Sequence, residues 1–496
     1  MDMIHRKIIG QASLSTLIIG LGLVTSVVRV VFLTRVMSVS DYGTISVLLT
    51  TMMFFSYLFP LGTFQYVYKE AALGELPVLA LKSVVIGAGA TSILLALVAI
   101  LLAPLFNARF GFGMPEWGLT LVASVLSGVL FVLIYYLYGQ RQVVFYNFML
   151  FLRGFAWLYV LIPTALLTEL RLTVIWVVIS WVALVAVTLV LAARRIGWNH
   201  LTKAPVDLMW FRSSVQYSFP LLPFFMSVWG MLAISKYILA YVSSTAQVAL
   251  FSLAYTIFDM VYLVAVNVSQ TLSPYIFAEW REEKQSNVYF DVALKYSIVL
   301  TVLLSLEVLL VGKHVVLLLA SDAYIGATAF IPVMVFLPLL RVLSANVQQR
   351  LMATNRTGQM GIIYIVSLVS MSVCGVWWGQ LWGVYGVIVA LLFSQGILLV
   401  MITWKVRGEI RLRTDYFPFY RILLGSIVLV VLIGLCMKFF SSQNLISFTL
   451  AATLPAVYLI VLYVCGAISH QEIVFVKLGL ERFSMWIRKP NRHALR

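Results

Sequence analysis

Apolar residues in this chain run on in long blocks instead of alternating with polar ones. Fourteen such stretches stand out, near 10–33, 44–66, 83–106, 117–138, 148–167, 172–192, 214–239, 247–272, 296–312, 326–346, 361–379, 383–404, 422–437 and 446–467. A helix needs about 20 apolar residues to cross the hydrocarbon of a bilayer. The two-residue period of a barrel strand is absent, so the pattern predicts helices, which satisfy their own backbone groups in lipid. The first stretch is too long for a signal peptide and has no small-residue cleavage site. The expected fold class is an all-α polytopic membrane protein of about fourteen transmembrane helices.

Composition agrees. Of 496 residues, 62% are apolar and 10% charged, with a mean hydropathy of +1.02. A water-soluble fold could not hide that surface. The net charge of +16 becomes informative once it is placed along the chain. If the N-terminus is cytoplasmic, 25 of the 34 Lys and Arg residues fall on the inner side. Arg35, Arg109, Arg171, Lys313 and Lys438 fall outside, and four lie within spans. Cationic loops stay inside, so both termini are expected in the cytoplasm, and the basic surface faces anionic lipid with no need for nucleic acid. The longest loops, near 193–213, 273–295 and 405–421, are all on that side. No outer segment is large enough for a folded catalytic domain, which argues against an enzyme and puts function in the spans. Cys374, Cys436 and Cys465 form no metal pattern, the five histidines are scattered, and no phosphate or dinucleotide loop appears, so neither metal nor cofactor is expected. Beyond residue 469, Val474, Phe475, Leu478, Phe483 and Trp486 alternate with basic residues, as in an amphipathic helix lying on the inner face.

A weak internal repeat organises the spans. Residues 43–50 resemble 249–256, and Gln140-Arg141 resembles Gln349-Arg350, at nearly equal offsets. Parallel repeats of six spans are related by an axis along the membrane normal. The expected arrangement is two six-helix bundles, 1–200 and 201–410, around a central cleft. Two extra helices (411–468) and the cytoplasmic tail (469–496) follow.

Six ionisable residues fall inside the apolar stretches: Arg29, Arg153, Lys236, Asp259, Glu307 and Arg341. Each costs at least about 2.5–3.5 kcal/mol in hydrocarbon. Four are cations, which points to a passenger that is amphipathic and negatively charged. All four lie near span ends, where a long side chain can also snorkel to the headgroups. Arg29 and Lys236 fall within one residue of each other in the repeat alignment, so both bundles would present a cation at one height. Arg29 shares a helical face with Gly22, Thr25 and Ser26. A diphosphate would rest near Arg29 and Lys236 in a water-poor site, where Arg offers a bidentate fork. Arg153 and Arg341 would meet the headgroup on its way in from the cytoplasm. Asp259 lies mid-span on a face with Ser252, Tyr255, Thr256 and Tyr262. That stripe reads as a wet pathway in which the tyrosines suit sugars and Asp259 couples a proton or sodium ion. The competing reading is an ion pair with Lys236, or a neutral hydrogen-bonded acid. Glu307 reads as structural. Pro60, Pro163, Pro220, Pro223, Pro332 and Pro338 interrupt spans, and Pro220 and Pro223 mark either a hinge or a static kink.

Residues 29–43 resemble the first-span signature of the polysaccharide (O-antigen and exopolysaccharide repeat-unit) flippases. These belong to the multidrug/oligosaccharidyl-lipid/polysaccharide exporter superfamily. The matching positions are Arg29, Leu33-Thr34-Arg35, Asp41, Tyr42 and Gly43. Tyr385-Gly386 resembles a second family feature. Where the family often has an acid followed by Arg, this chain has Ser235-Lys236. The resemblance implies a multi-pass protein of the bacterial cytoplasmic membrane, with spans 1, 2, 7 and 8 lining the cleft. It also implies transport of a polyprenyl-diphosphate-linked oligosaccharide from the inner to the outer leaflet for surface polysaccharide assembly. A cation-coupled drug antiporter of the same superfamily would favour acids over bases in the cleft. A membrane polysaccharide polymerase or glycosyltransferase would need a sizeable outer loop.

Overall fold

The computed structural model describes residues 2–74, 76–101, 103–104, 113–168, 173–197, 205–281, 288–353, 357–407, 421–422, 424–425 and 444–467. Among them every regular element is helical. The first half holds α1 (Asp2–Val36), α2 (Val39–Leu58), α3 (Phe64–Leu73), α4 (Val78–Leu101), α5 (Met114–Gly139), α6 (Val143–Phe151), α7 (Trp157–Thr168), α8 (Val174–Ile196), α9 (Leu208–Ser218) and α10 (Leu222–Val242). Then follow α11 (Thr245–Arg281), α12 (Val288–Leu319), α13 (Ile331–Met334), α14 (Leu337–Ala353), α15 (Thr357–Trp382), α16 (Val384–Val406) and α17 (Asn444–Val464). Nine helices among the described residues are long and apolar enough to cross a membrane, or ten if the broken pair Asp322–Met334 and Leu337–Gln349 counts as one span. They lie on the expected third to twelfth stretches, and the chain is a multi-pass membrane protein. The thirteenth expected span and Cys436 fall almost wholly outside the described residues, as does the whole tail.

Prolines set several breaks. Pro60 lies just past α2, where Leu61 and Gly62 take positive φ angles of 52° and 70° and turn the chain into α3. The second span therefore stops at Leu58, short of its expected end at 66. One 3₁₀ turn, Phe219–Leu221, containing Pro220, separates α9 from α10. Helix α13 stops at Met334, four residues before Pro338, where the proline ring would strike the helical carbonyl.

The chain packs as two compact units: Met1–Thr256 with Lys313–Met334 and Thr354–Ile402, and Ile257–Gly312 with Val335–Ala353 and Thr403–Arg496. In the second unit, Phe290, Leu294 and Ile298 of α12 lie four residues apart, as do Leu454, Tyr458 and Leu462 of α17. These two stripes belong to one buried cluster with Ile276 and Ile422. At the start of α12, Asp291 and Lys295 are also buried, although the sequence pattern assigns them to a loop.

In the first unit, α2 and the beginning of α11 lie against each other. Ser46 Oγ donates to Ser252 Oγ at 2.7 Å, a separation of 206 residues, and the Ser40 and Thr245 hydroxyls are 2.7 Å apart. Gly43 permits the approach: a Cβ there would sit 1.9 Å from the Thr245 carbonyl oxygen.

Candidate substrate-binding site

The stretch 29–43 builds helix ends and close packing. Thr34 Oγ1 donates to the Leu319 carbonyl at 3.0 Å and Arg35 Nη2 to the Leu318 carbonyl at 3.2 Å. These are the last carbonyls of α12, which have no partner within their helix. Asp41 and Ser38 cap the start of α2: the Asp41 amide donates to Ser38 Oγ at 3.1 Å, and that hydroxyl donates to Asp41 Oδ2 at 2.7 Å. The Tyr42 ring stands edge-on to Tyr324 at 5.7 Å. Tyr385-Gly386 behaves alike. The Tyr385 hydroxyl reaches the Ala329 carbonyl at 3.3 Å, and a Cβ on Gly386 would meet the Trp378 carbonyl oxygen at 1.9 Å.

Of the predicted site residues, Arg29 is half-buried on α1, and its Nη2 donates to Ser26 Oγ at 3.4 Å. Its small and polar neighbours serve helix packing. Gly22 faces the Phe155 ring, and the hydroxyls of Thr25 and Tyr159 are 2.7 Å apart. Lys236, on α10, is buried, and its Nζ donates to Ser46 O at 3.1 Å and to Ser46 Oγ and Thr50 Oγ1 at 2.7 Å each. An ammonium has three protons, and these three oxygens all belong to α2, so Lys236 braces α10 to α2. Tyr255 is half-buried, its ring 6.1 Å from that of Phe251.

Three of the predicted residues meet in the second unit. Arg341 Nη1 lies 2.6 Å from Asp259 Oδ1, and the same guanidinium sits 3.9 Å from the centre of the Tyr262 ring. The Asp259 and Arg341 side chains keep 35% and 21% of their exposure, so the pair is open to competition by water or an anion. Asp259 thus pairs with Arg341, where the sequence offered Lys236.

Arg153 has a different environment. It lies in a π-helical turn, Leu152–Ala156, between α6 and α7. Such turns cluster at functional positions because the extra residue breaks the regular ladder. Its side chain is 4% exposed. Nη2 donates to Ser56 Oγ at 3.2 Å and approaches Met53 Sδ at 3.5 Å, and the guanidinium lies 4.3 Å from the centre of the Phe131 ring. No carboxylate among the described residues pairs with it, and its buried Nε has no hydrogen-bond partner. A buried cation without a counter-charge is costly, and an anion would offset that cost.

From Arg153 a continuous aromatic wall extends. Phe131 lies 4.8 Å from Tyr57, which stacks on Phe225 at 6.0 Å and on Trp229 at 6.2 Å. On the other flank Tyr135 is 6.1 Å from Phe131 and 5.5 Å from Tyr146; Tyr146 stacks on Tyr138 at 4.4 Å, and Tyr138 on Tyr68 at 5.0 Å. Burial, and then the neighbouring Tyr138, pushes the Tyr68 phenol above its ordinary ionisation range, so it is neutral at physiological pH. Five helices contribute, α2, α3, α5, α6 and α10, and no single segment of sequence reveals the cluster. The only signal available in advance was the density of tyrosine between residues 57 and 146.

No family model matches the chain, and no curated protein matches it. Among solved structures, the lipid II flippase MurJ in an inward closed conformation superposes with a TM-score of 0.75 at 13% identity, over 93% of this chain and 99% of that one. An inward-facing multidrug resistance MATE family transporter of the MOP superfamily gives 0.57 at 12% identity, over 77% and 97%. The Vibrio cholerae MATE transporter VcmN in its bent form gives 0.54 at 14% identity, over 82% and 99%. The chain has the fold shared by this lipid II flippase and the multidrug transporters of the MOP superfamily.

Proposed function

We propose that this protein is a flippase of the bacterial cytoplasmic membrane that carries a polyprenyl-diphosphate-linked oligosaccharide outward for surface polysaccharide assembly. The reading rests on one observation above all: Arg153 is buried, lacks a carboxylate partner among the described residues, and lies against an aromatic wall. A diphosphate supplies the missing anion, and in a water-poor site a charge-assisted bond to guanidinium is strong. The fold likeness to a lipid II flippase supports it. Two bundles, 1–200 and 201–410, move against each other, with N- and C-termini in the cytoplasm. Arg29 and Arg153 of the first unit receive the headgroup, and Arg341 offers a further cation in the second. Lys236 braces the α2–α10 packing. Asp259 holds Arg341 in the empty state and yields it when a proton, a sodium ion or the substrate competes.

The cation-coupled antiporter remains the competing reading, because the Asp259–Arg341 pair is half-exposed. Deletion of the gene separates the two. The flippase reading expects lipid-linked oligosaccharide to accumulate in the inner leaflet, surface polysaccharide to vanish and drug susceptibility to stay unchanged. Sensitisation to cationic drugs with normal surface glycan would establish the antiporter instead.

A further inference from the structure

We infer that the aromatic wall beside Arg153 is the glycan-binding surface, where sugar rings of an anionic glycolipid stack while Arg153 holds the phosphate. This rests on the flippase reading and adds to it a location and a recognition chemistry for the sugar.

Three observations carry it. The first is exposure. Phe131 is buried, 1% exposed, and forms the floor, whereas Tyr57, Tyr135, Tyr138, Tyr146 and Trp229 are only half-buried. A wall made purely for packing would bury its rings. The second is composition. A face turned to acyl chains gains nothing from phenol hydroxyls, which have no partner in hydrocarbon. Rings that are apolar on the face and polar at the tip suit a ligand of the same mixed character. A pyranose is such a ligand: C–H bonds cover one face, drawn to the negative face of an aromatic ring, while hydroxyls ring its edge. The third is continuity with charge. A guanidinium lies 4.3 Å from the centre of Phe131, the ring from which both flanks of the wall extend, so a molecule that carries phosphate beside sugars meets a cation and aromatic faces side by side.

The test measures binding to purified full-length protein with two probes, a polyprenyl-diphosphate-linked oligosaccharide and sugar-free polyprenyl diphosphate. Tyr138→Leu and Tyr146→Leu should each weaken binding of the glycosylated probe about tenfold, the scale of one lost aromatic contact. Binding of the sugar-free probe should not change, and the Phe variants, which keep the ring, should restore most of the loss. Arg153→Gln should weaken both probes. Equal weakening of both probes by the Leu variants, or no weakening of either, would overturn the glycan assignment. Wild-type protein that binds neither probe would instead remove the flippase reading. A second measurement avoids variants that fail to fold. In the wild-type protein, hydroxyl-radical labelling of Tyr138 and Tyr146 should fall when the glycosylated probe is added and stay constant with the sugar-free one; unchanged labelling with both probes contradicts the proposal.

Discussion

Arg153→Gln should eliminate transport while leaving the folded protein as stable as before, or more so. The two halves of that expectation follow from one fact. The guanidinium is buried with no carboxylate partner among the described residues, and its Nε has no hydrogen-bond partner. In the empty protein the charge is therefore a burden, and removing it relieves desolvation. In the loaded protein the same charge faces the diphosphate, and truncating one member of a buried, hydrogen-bonded charge pair costs about 2–5 kcal/mol. Transport should fall by roughly 30-fold or more. Thermal unfolding of the detergent-purified variant and substrate export in cells provide the two readouts. Arg153→Lys, which keeps the charge and loses the fork, should recover part of the export. A destabilised Arg153→Gln protein whose folded fraction exports normally would make Arg153 a structural residue.

Gly43→Ala should be among the most damaging single-methyl additions in the molecule. The new Cβ would lie 1.9 Å from the Thr245 carbonyl oxygen and 2.8 Å from its carbon. Both are backbone atoms and cannot rotate aside, so α2 and α11 must separate. Overpacking typically costs about 1–3 kcal/mol, and a backbone clash belongs at the top of that range. The separation would also disturb neighbouring bonds, the Ser40–Thr245 and Ser46–Ser252 pairs and the Lys236 contacts to Ser46. Gly118 provides the control, because a Cβ there meets nothing within 4 Å. Gly118→Ala should be neutral or stabilising by up to about 1 kcal/mol, since it lies within α5 and alanine favours a helix. Equal unfolding temperatures for the two variants would mean that α2 and α11 do not approach as described.

Much of this molecule could be read from its sequence. The third to ninth, eleventh and twelfth apolar stretches each coincide with a described membrane-length helix and the tenth with a broken pair, because long apolar blocks admit few alternatives. Ser46 and Ser252, 206 residues apart, share a hydrogen bond. What escaped depended on distance in sequence. Asp259 and Arg341 are 82 residues apart, and hydropathy does not tell which cation an acid will find. The aromatic wall draws one to three rings from each of five helices and leaves no local pattern. The 29–43 motif was legible as a signature, but its physical tasks were not. Thr34 and Arg35 cap α12, Ser38 caps α2 by accepting from the Asp41 amide, and Gly43 lets two helices touch. Pro60 shows a smaller gap. Hydropathy carried the second span to 66, but the turn at Leu61 and Gly62 ends it at Leu58.

On the proposed function, an anionic glycolipid moves outward through this fold. Reconstitution tests it most directly, with purified protein in unilamellar vesicles carrying a fluorescently tagged polyprenyl-diphosphate-linked oligosaccharide. A membrane-impermeant quencher reports how much tag faces outside. Wild-type vesicles should expose the inner-leaflet pool with time, and Arg153→Gln vesicles should match protein-free controls. Tag that stays protected in wild-type vesicles, or crosses equally well with Arg153→Gln, would contradict the account.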